Sequence, residues 1–261
     1  MSAVVIHGGL VHYEAFGRGS PILFIHGWLG SWRYWMQTME SLAVDHRVYA
    51  LDLWGFGDSD KSEKRFNIEH YVALIDSFVE ELGVHEPVIV GHALGAVVAI
   101  EYVTRRAHAV DKIVAVSLPL NPEAVDRRLL NFSQTSVLSK VFRWKPIPNK
   151  EIEQEAARAS ETVISRTLES FAGYDFEEKI RTIDCDVLIV FGEKDEVIDP
   201  SPTKSLNNGF RHIRHITLTD SRHFPMVDES PKFNRLLKDF AEKEATLESL
   251  SLKEEWRRRT R

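Results

Sequence analysis

Three short segments of this chain carry residues that could do nucleophilic chemistry together. Residues 90–96 read Val-Gly-His-Ala-Leu-Gly-Ala, a turn framed by Gly91 and Gly95 between two apolar runs. A tight strand-to-helix turn presents its middle residue, and a nucleophile there would suit acyl transfer. Here the middle residue is Ala93, whose methyl group cannot attack. His223, in Asp-Ser-Arg-His-Phe-Pro, is a candidate general base. Asp195, in Gly-Glu-Lys-Asp-Glu-Val, is a candidate carboxylate to orient the imidazole and stabilise its charged form. Backbone N–H groups from the Phe-Ile-His-Gly-Trp loop at 24–28 and from the start of the helix after position 93 could hold an oxyanion. Chain order is turn, then Asp, then His.

These residues must be brought together by the elements around them. Residues 3–27 read as two alternating strands joined by a Gly-Gly turn, then a buried strand at Ile-Leu-Phe-Ile. Helical spacing follows from Ser31, a candidate N-cap, and a buried strand recurs at His-Arg-Val-Tyr-Ala-Leu-Asp-Leu. An amphipathic helix from Asn67 ends near Gly83, and Pro-Val-Ile-Val-Gly leads into the turn at position 93. Strand Asp-Lys-Ile-Val-Ala-Val-Ser-Leu comes after the next helix. Strands alternating with helices imply a doubly wound, mostly parallel α/β sheet. From about Pro119 to Arg181 the pattern is helical without a strand, with helices near 126–142 and 150–171. Strands then resume at Asp-Val-Leu-Ile-Val-Phe-Gly and His-Ile-Thr-Leu-Thr-Asp before a closing helix from Ser230. The expectation is a core of residues 1–118 and 182–261, with 119–181 a helical cap. In such a sheet, sites form at the carboxyl ends of the strands, where all four polar segments fall.

The chain has 261 residues, 43% hydrophobic and 28% charged, which fits one large domain with an insertion. A net charge of −6 gives no electrostatic reason to expect nucleic acid. The Trp-Arg-Arg-Arg-Thr-Arg run at the C-terminus reads as a solvated tail. The lone Cys185 excludes an internal disulfide and reads as a small buried hydrophobe. No metal-ligand spacing is evident, and no cofactor is expected. Neither a signal peptide nor an apolar run of membrane-spanning length is seen, so a cytoplasmic location is expected.

Taken together, these segments identify the chain as resembling the α/β-hydrolase superfamily along essentially its whole length. Gly-Arg-Gly-Ser-Pro-Ile-Leu-Phe-Ile-His-Gly-Trp resembles the family's strand and oxyanion loop, and Asp-Leu-Trp-Gly-Phe-Gly-Asp-Ser-Asp-Lys the loop after its fourth strand. Val-Gly-His-Ala-Leu-Gly aligns with Gly-x-Ser-x-Gly, with Ala93 in the serine slot. The segments around Asp195 and His223 resemble the acid and histidine segments. The resemblance implies an eight-stranded sheet with a helical cap, Ala93 at the nucleophile position, Asp195 as acid, His223 as base, and the amides of Trp28 and Leu94 as the oxyanion hole. Family spacing favours Asp195 over Glu193.

Other residues near these segments have plainer readings. His26 is expected to hydrogen-bond loop backbone, and His92 to be structural and to face away from the cavity. Asp199, before Pro200, reads as a turn or cap residue. Trp28 and Trp54 could each line the pocket or belong to the core, and Phe132, Phe142 and Trp144 could line an acyl pocket or fix the cap to the sheet.

Three accounts of Ala93 compete: a natural non-enzyme that uses the pocket for binding, a different chemistry, and a replaced serine. An aspartate or cysteine nucleophile fails, because neither stands there, and Cys185 lies elsewhere. Loss of the nucleophile in such a triad costs about a millionfold in turnover. Drift after abandoned chemistry should also erode Asp195 and His223, whose polar groups need partners. The reading favoured is a serine hydrolase for small-molecule carboxylic esters, acting through an acyl-enzyme and inactive or nearly so because a serine was replaced. The alternatives are a catalytically dead ligand-binding or receptor protein, and a carbon–carbon bond hydrolase or hydroxynitrile lyase on the same scaffold.

Overall fold

The computed structural model describes residues 2–126, 150–204, 206, 210–248 and 250. Eight strands form one sheet: β1 (Ser2–Ile6), β2 (Gly9–Phe16), β3 (Ser20–Ile25), β4 (His46–Leu51), β5 (Val88–His92), β6 (Lys112–Val116), β7 (Asp186–Gly192) and β8 (Ile213–Leu218). Their spatial order is β1-β2-β4-β3-β5-β6-β7-β8. β2 pairs antiparallel with β1 and β4, while the pairs from β4 through β8 are parallel. The sequence direction reverses at β3, which has β4 on one side and β5 on the other. A crevice opens at the carboxyl ends of strands flanking such a switch point.

Alternation along the parallel strands explains why both sheet faces are dry. Leu23, Ile25, Ile89, Ile113, Ala115, Val187 and Ile189 enter one apolar core. Their neighbours Ile22, Phe24, Val88, Val90, Val114, Val116, Leu188 and Val190 enter the other. Helices α1 (Met36–Leu42), α2 (Ile68–Glu81), α3 (Leu94–Arg105) and α7 (Ser230–Ala241) cover these faces; α4 (Lys150–Arg158), α5 (Glu161–Phe171) and α6 (Glu177–Arg181) precede β7. Every residue of α3 from Leu94 to Val103 is buried, as expected for a largely apolar helix, and the one carboxylate among them, Glu101, is paired with Arg105 and Lys179.

Local chemistry sets the boundaries. The β1–β2 hairpin turns at His7-Gly8, both at positive φ, rather than at Gly8-Gly9. A two-residue hairpin turn of this type needs positive φ at both central positions, and Gly9 already pairs with Ile6. Ser31 caps a 3-10 turn (Trp32–Trp35) that runs into α1, so the predicted helix begins more tightly wound than expected. The helical stretch expected over 150–171 is two helices, because Ser160 leaves helical geometry and its side chain accepts from Val163 N. Among the described residues no helix is long and apolar enough to cross a membrane.

Candidate active site

β5 leads straight into α3 through Ala93, which has φ 48° and ψ −106°. An L-residue rarely adopts this backbone, and it forces the chain to reverse sharply. The flanking glycines are imposed by backbone proximity. A Cβ on Gly91 would lie 2.3 Å from the Gly95 carbonyl oxygen, and one on Gly95 would lie 2.2 Å from that of Ile25. Leu94 opens α3, so its amide belongs to the first turn, whose N–H groups carry partial positive charge.

The His-Gly-Trp loop follows β3, whose Ile25 pairs with Gly91 of β5. Gly27 packs so closely that an added Cβ would sit 3.2 Å from the Ala93 methyl. Both polar groups of Gly27 are held. Its N–H donates to Tyr34 Oη at 2.6 Å, and its carbonyl lies 2.8 Å from His26 Nδ1. Leu53 N donates to His26 Nε2 at 3.0 Å, so the His26 proton resides on Nδ1 and points at Gly27. His26 thus does what its position suggested, and burial lowers its pKa. Trp28 is buried, and its indole N–H donates to Thr167 Oγ1 of α5 at 2.9 Å. Trp54 is buried as well, its ring under the Arg65 guanidinium at 4.9 Å.

Asp195 follows β7, His223 follows β8, and those strands are neighbours. His223 Nδ1 lies 3.0 Å from Asp195 Oδ2. Asp195 Oδ1 accepts the amides of Val197 and Ile198 at 2.9 and 3.1 Å. Burial alone would raise the Asp195 pKa, yet His223 and these two amides hold it below the ordinary carboxylate value. The Asp195 side chain is fully buried, whereas Glu193 is exposed. Asp199 accepts from Ser201 N at 2.9 Å, a turn contact of the kind expected.

His92 differs from expectation in one respect. It is buried and structural, but its ring does not turn from the site: it lies 4.7 Å from the His223 ring. The directions of its hydrogen bonds follow by elimination. Gly27 N–H can only donate to Tyr34 Oη, which leaves the Tyr34 O–H for His92 Nδ1 at 3.1 Å. His92 Nε2–H then donates to the His223 carbonyl at 2.9 Å. Burial, reinforced by the His223 charge, keeps the His92 pKa well below that of a free imidazole, which fits this neutral tautomer.

Tyr34, Thr167 and Ser117 join the site without a sequence signal that marks them. Ser117 Oγ lies 2.8 Å from Asp195 Oδ2. Phe132, Phe142, Trp144 and the basic run 256–261 lie outside the described residues.

Elsewhere, His12, Asp52 and Asp58 bring possible metal-ligand atoms within 4.8 Å of one another, a grouping the sequence spacing does not reveal. The two Asp52 oxygens already accept the amides of Trp32 and Asp58, and Arg33 binds Asp58 at 2.7 Å. That donor set fits a balanced network of protein charges. Its Arg33 also reaches Glu155 of α4 at 3.6 Å.

Known proteins share this architecture. Residues 20–137 match the family model described as alpha/beta hydrolase fold. A pimeloyl-[acyl-carrier protein] methyl ester esterase from Vibrio parahaemolyticus is 22% identical over 260 residues, covering 89% of this chain and 98% of its own. An esterase from Exiguobacterium antarcticum superposes with TM-score 0.81 at 19% identity, covering 91% and 97% of the two chains. An enol-lactonase from Burkholderia xenovorans superposes with TM-score 0.80 at 16% identity, covering 92% and 99%. The eight-stranded sheet, its order and the matched segment together give this chain the α/β-hydrolase fold.

Proposed function

We propose that this chain is a carboxylic-ester hydrolase scaffold of the serine acyl-enzyme type, nearly inert as written because position 93 is alanine. We place its helical cap in the 119–181 insertion, with α4, α5 and α6 as the described part, and its core in 1–118 with 182–261. The observation that carries the reading is the pairing of a complete acid–base apparatus with an unrewarded backbone. Asp195 and His223 are 3.0 Å apart and both Asp195 oxygens are provided with donors, while Ala93 keeps φ 48° and gains no chemistry from it. Esters and a lactone are the substrates named for the similar proteins, and that supports the ester class.

With a serine hydroxyl at position 93, His223 Nε2 would take its proton as Oγ attacks the ester carbonyl. The amides of Trp28 and Leu94 would receive the developing oxyanion. Collapse would return the proton to the departing alcohol and leave an acyl-enzyme, which His223 hydrolyses by activating water. Asp195 stays ionised throughout and stabilises the imidazolium.

Ala93→Ser is expected to hydrolyse p-nitrophenyl esters of short acids, with kcat raised by up to about 10⁶ over the parent chain. His223→Ala in that background is expected to abolish the gain. A ligand-binding protein without catalysis, the reading that takes Ala93 as native, would bind its ligand equally well with and without the serine and would gain no turnover.

A further inference from the structure

Ser117 directly follows β6, is fully buried, and has φ +47°. It is the neighbour of the elbow residue. His92 pairs with Val116 across β5 and β6, and Ala93 N donates to the Val116 carbonyl at 2.9 Å. Ala93 and Ser117 are therefore the first residues past two adjacent strands, both in left-handed backbone. Glycine would occupy that region freely. A serine there needs a use for its side chain.

The hydroxyl has one. Ser117 Oγ donates to Asp195 Oδ2 at 2.8 Å and lies 3.4 Å from the His223 carbonyl. The same Oδ2 receives His223 Nδ1–H at 3.0 Å. One carboxylate oxygen thus accepts from a hydroxyl and from the imidazole, while the other is fixed by two amides. A donor on a carboxylate oxygen draws charge from it and stabilises its ionised form. Among the described residues, the titratable groups facing His223 are Asp195 and the neutral His92.

We propose that Ser117 is a positioning residue: its hydroxyl fixes Asp195 Oδ2 toward His223 Nδ1 and tempers the negative charge that the imidazole meets. The proposal rests on Asp195 and His223 being the acid–base pair of the site. Without the hydroxyl, the carboxylate offers more charge, and His223 binds its proton more tightly.

The test is an NMR titration of His223 in the chain with Ala93 in place, which needs no turnover. Ser117→Ala and Ser117→Gly are each expected to raise the proton affinity of His223 about threefold or more, half a pKa unit, and to move the Nδ1 proton resonance. Ser117→Gly also removes the backbone strain, so it tests the hydroxyl even if Ser117→Ala folds poorly. Ser117→Cys, a near-isostere with a weaker donor, is expected to fall between. In an Ala93→Ser background, Ser117→Gly is expected to lower kcat at least tenfold with KM little changed. If Ala93→Ser proves inactive, the ester-hydrolase reading fails while the titration still decides the role of Ser117. A His223 pKa that stays the same or falls in Ser117→Gly would overturn the proposal.

Discussion

His92 Nε2 lies 2.9 Å from the main-chain oxygen of His223, so the residue before the elbow grips the backbone of the residue expected to act on it. The same ring is held from behind by Tyr34, which also holds Gly27. The loops after β3, β5 and β8 are thereby joined by one run of hydrogen bonds with a single permitted direction. The bonds at Tyr34 are buried and that to His223 partly so, and each polarises the next.

Tyr34→Phe breaks this run at its middle. It leaves the Gly27 N–H without its acceptor and His92 Nδ1 without its donor, both in buried surroundings. Unsatisfied buried groups cost about 1–3 kcal/mol each. Urea unfolding is expected to show a loss of roughly 2 kcal/mol or more, with the m-value unchanged.

Ala93→Gly should act in the opposite sense. At φ 48° and ψ −106° the alanine pays for a conformation that glycine tolerates. The expected gain is about 1 kcal/mol in unfolding free energy, reduced by the added freedom of glycine in the unfolded chain. Gly95→Ala is the control, since its Cβ would meet the Ile25 carbonyl at 2.2 Å, and it should be strongly destabilising.

Much of this arrangement was legible in the residues themselves. Apolar runs fixed the strands because both faces of a parallel sheet are buried, and the polar segments that end β3, β5, β7 and β8 announced the site. Ala93, Asp195 and His223 stood out because their segments break apolar runs. Tyr34, Thr167 and Ser117 did not, because each lies in an ordinary helix or strand-end context. Their value comes from partners far along the chain: Thr167 lies 139 residues from Trp28, and Ser117 lies 78 from Asp195. The His92 ring was expected to turn aside, and only the fold reveals that the base loop returns to meet it. The break at Ser160 was missed because the apolar spacing continues across it.

Thr167→Val removes the acceptor of the Trp28 indole while keeping the shape of the side chain. Trp28 Nε1–H is then buried without a partner, at a cost of about 1–3 kcal/mol. Thr167→Ser keeps the acceptor and should retain most of that stability. Thermal unfolding compares the two. In an Ala93→Ser background, the valine variant should also lose kcat, because the Trp28 backbone would shift.

Acid should begin to destabilise the fold below about pH 6.5, through its buried histidines. Burial lowers the pKa of His215 to about 4 and that of His92 well below its usual value. The unfolded forms take up protons near pH 6.5, while these folded forms do not. Their contribution is full above pH 6.5 and is lost as pH falls toward the folded pKa, at up to about 1.4 kcal/mol per unit for each histidine. His12 opposes this, since Asp52 raises its pKa and its contribution is lost as pH rises. Denaturation at pH 7, 6 and 5 should show falling stability, and His215→Phe should flatten the slope.

The central claim is that position 93 is a nucleophile site stripped of its nucleophile. Intact-mass spectrometry of Ala93→Ser, mixed with p-nitrophenyl acetate and quenched within milliseconds to seconds, tests it most directly. The account predicts a burst of p-nitrophenol, one acetyl group added per chain and mapped to the peptide carrying residue 93, and no such adduct in the parent chain. A correctly folded Ala93→Ser protein that shows neither adduct nor turnover across a panel of short-chain esters would contradict it.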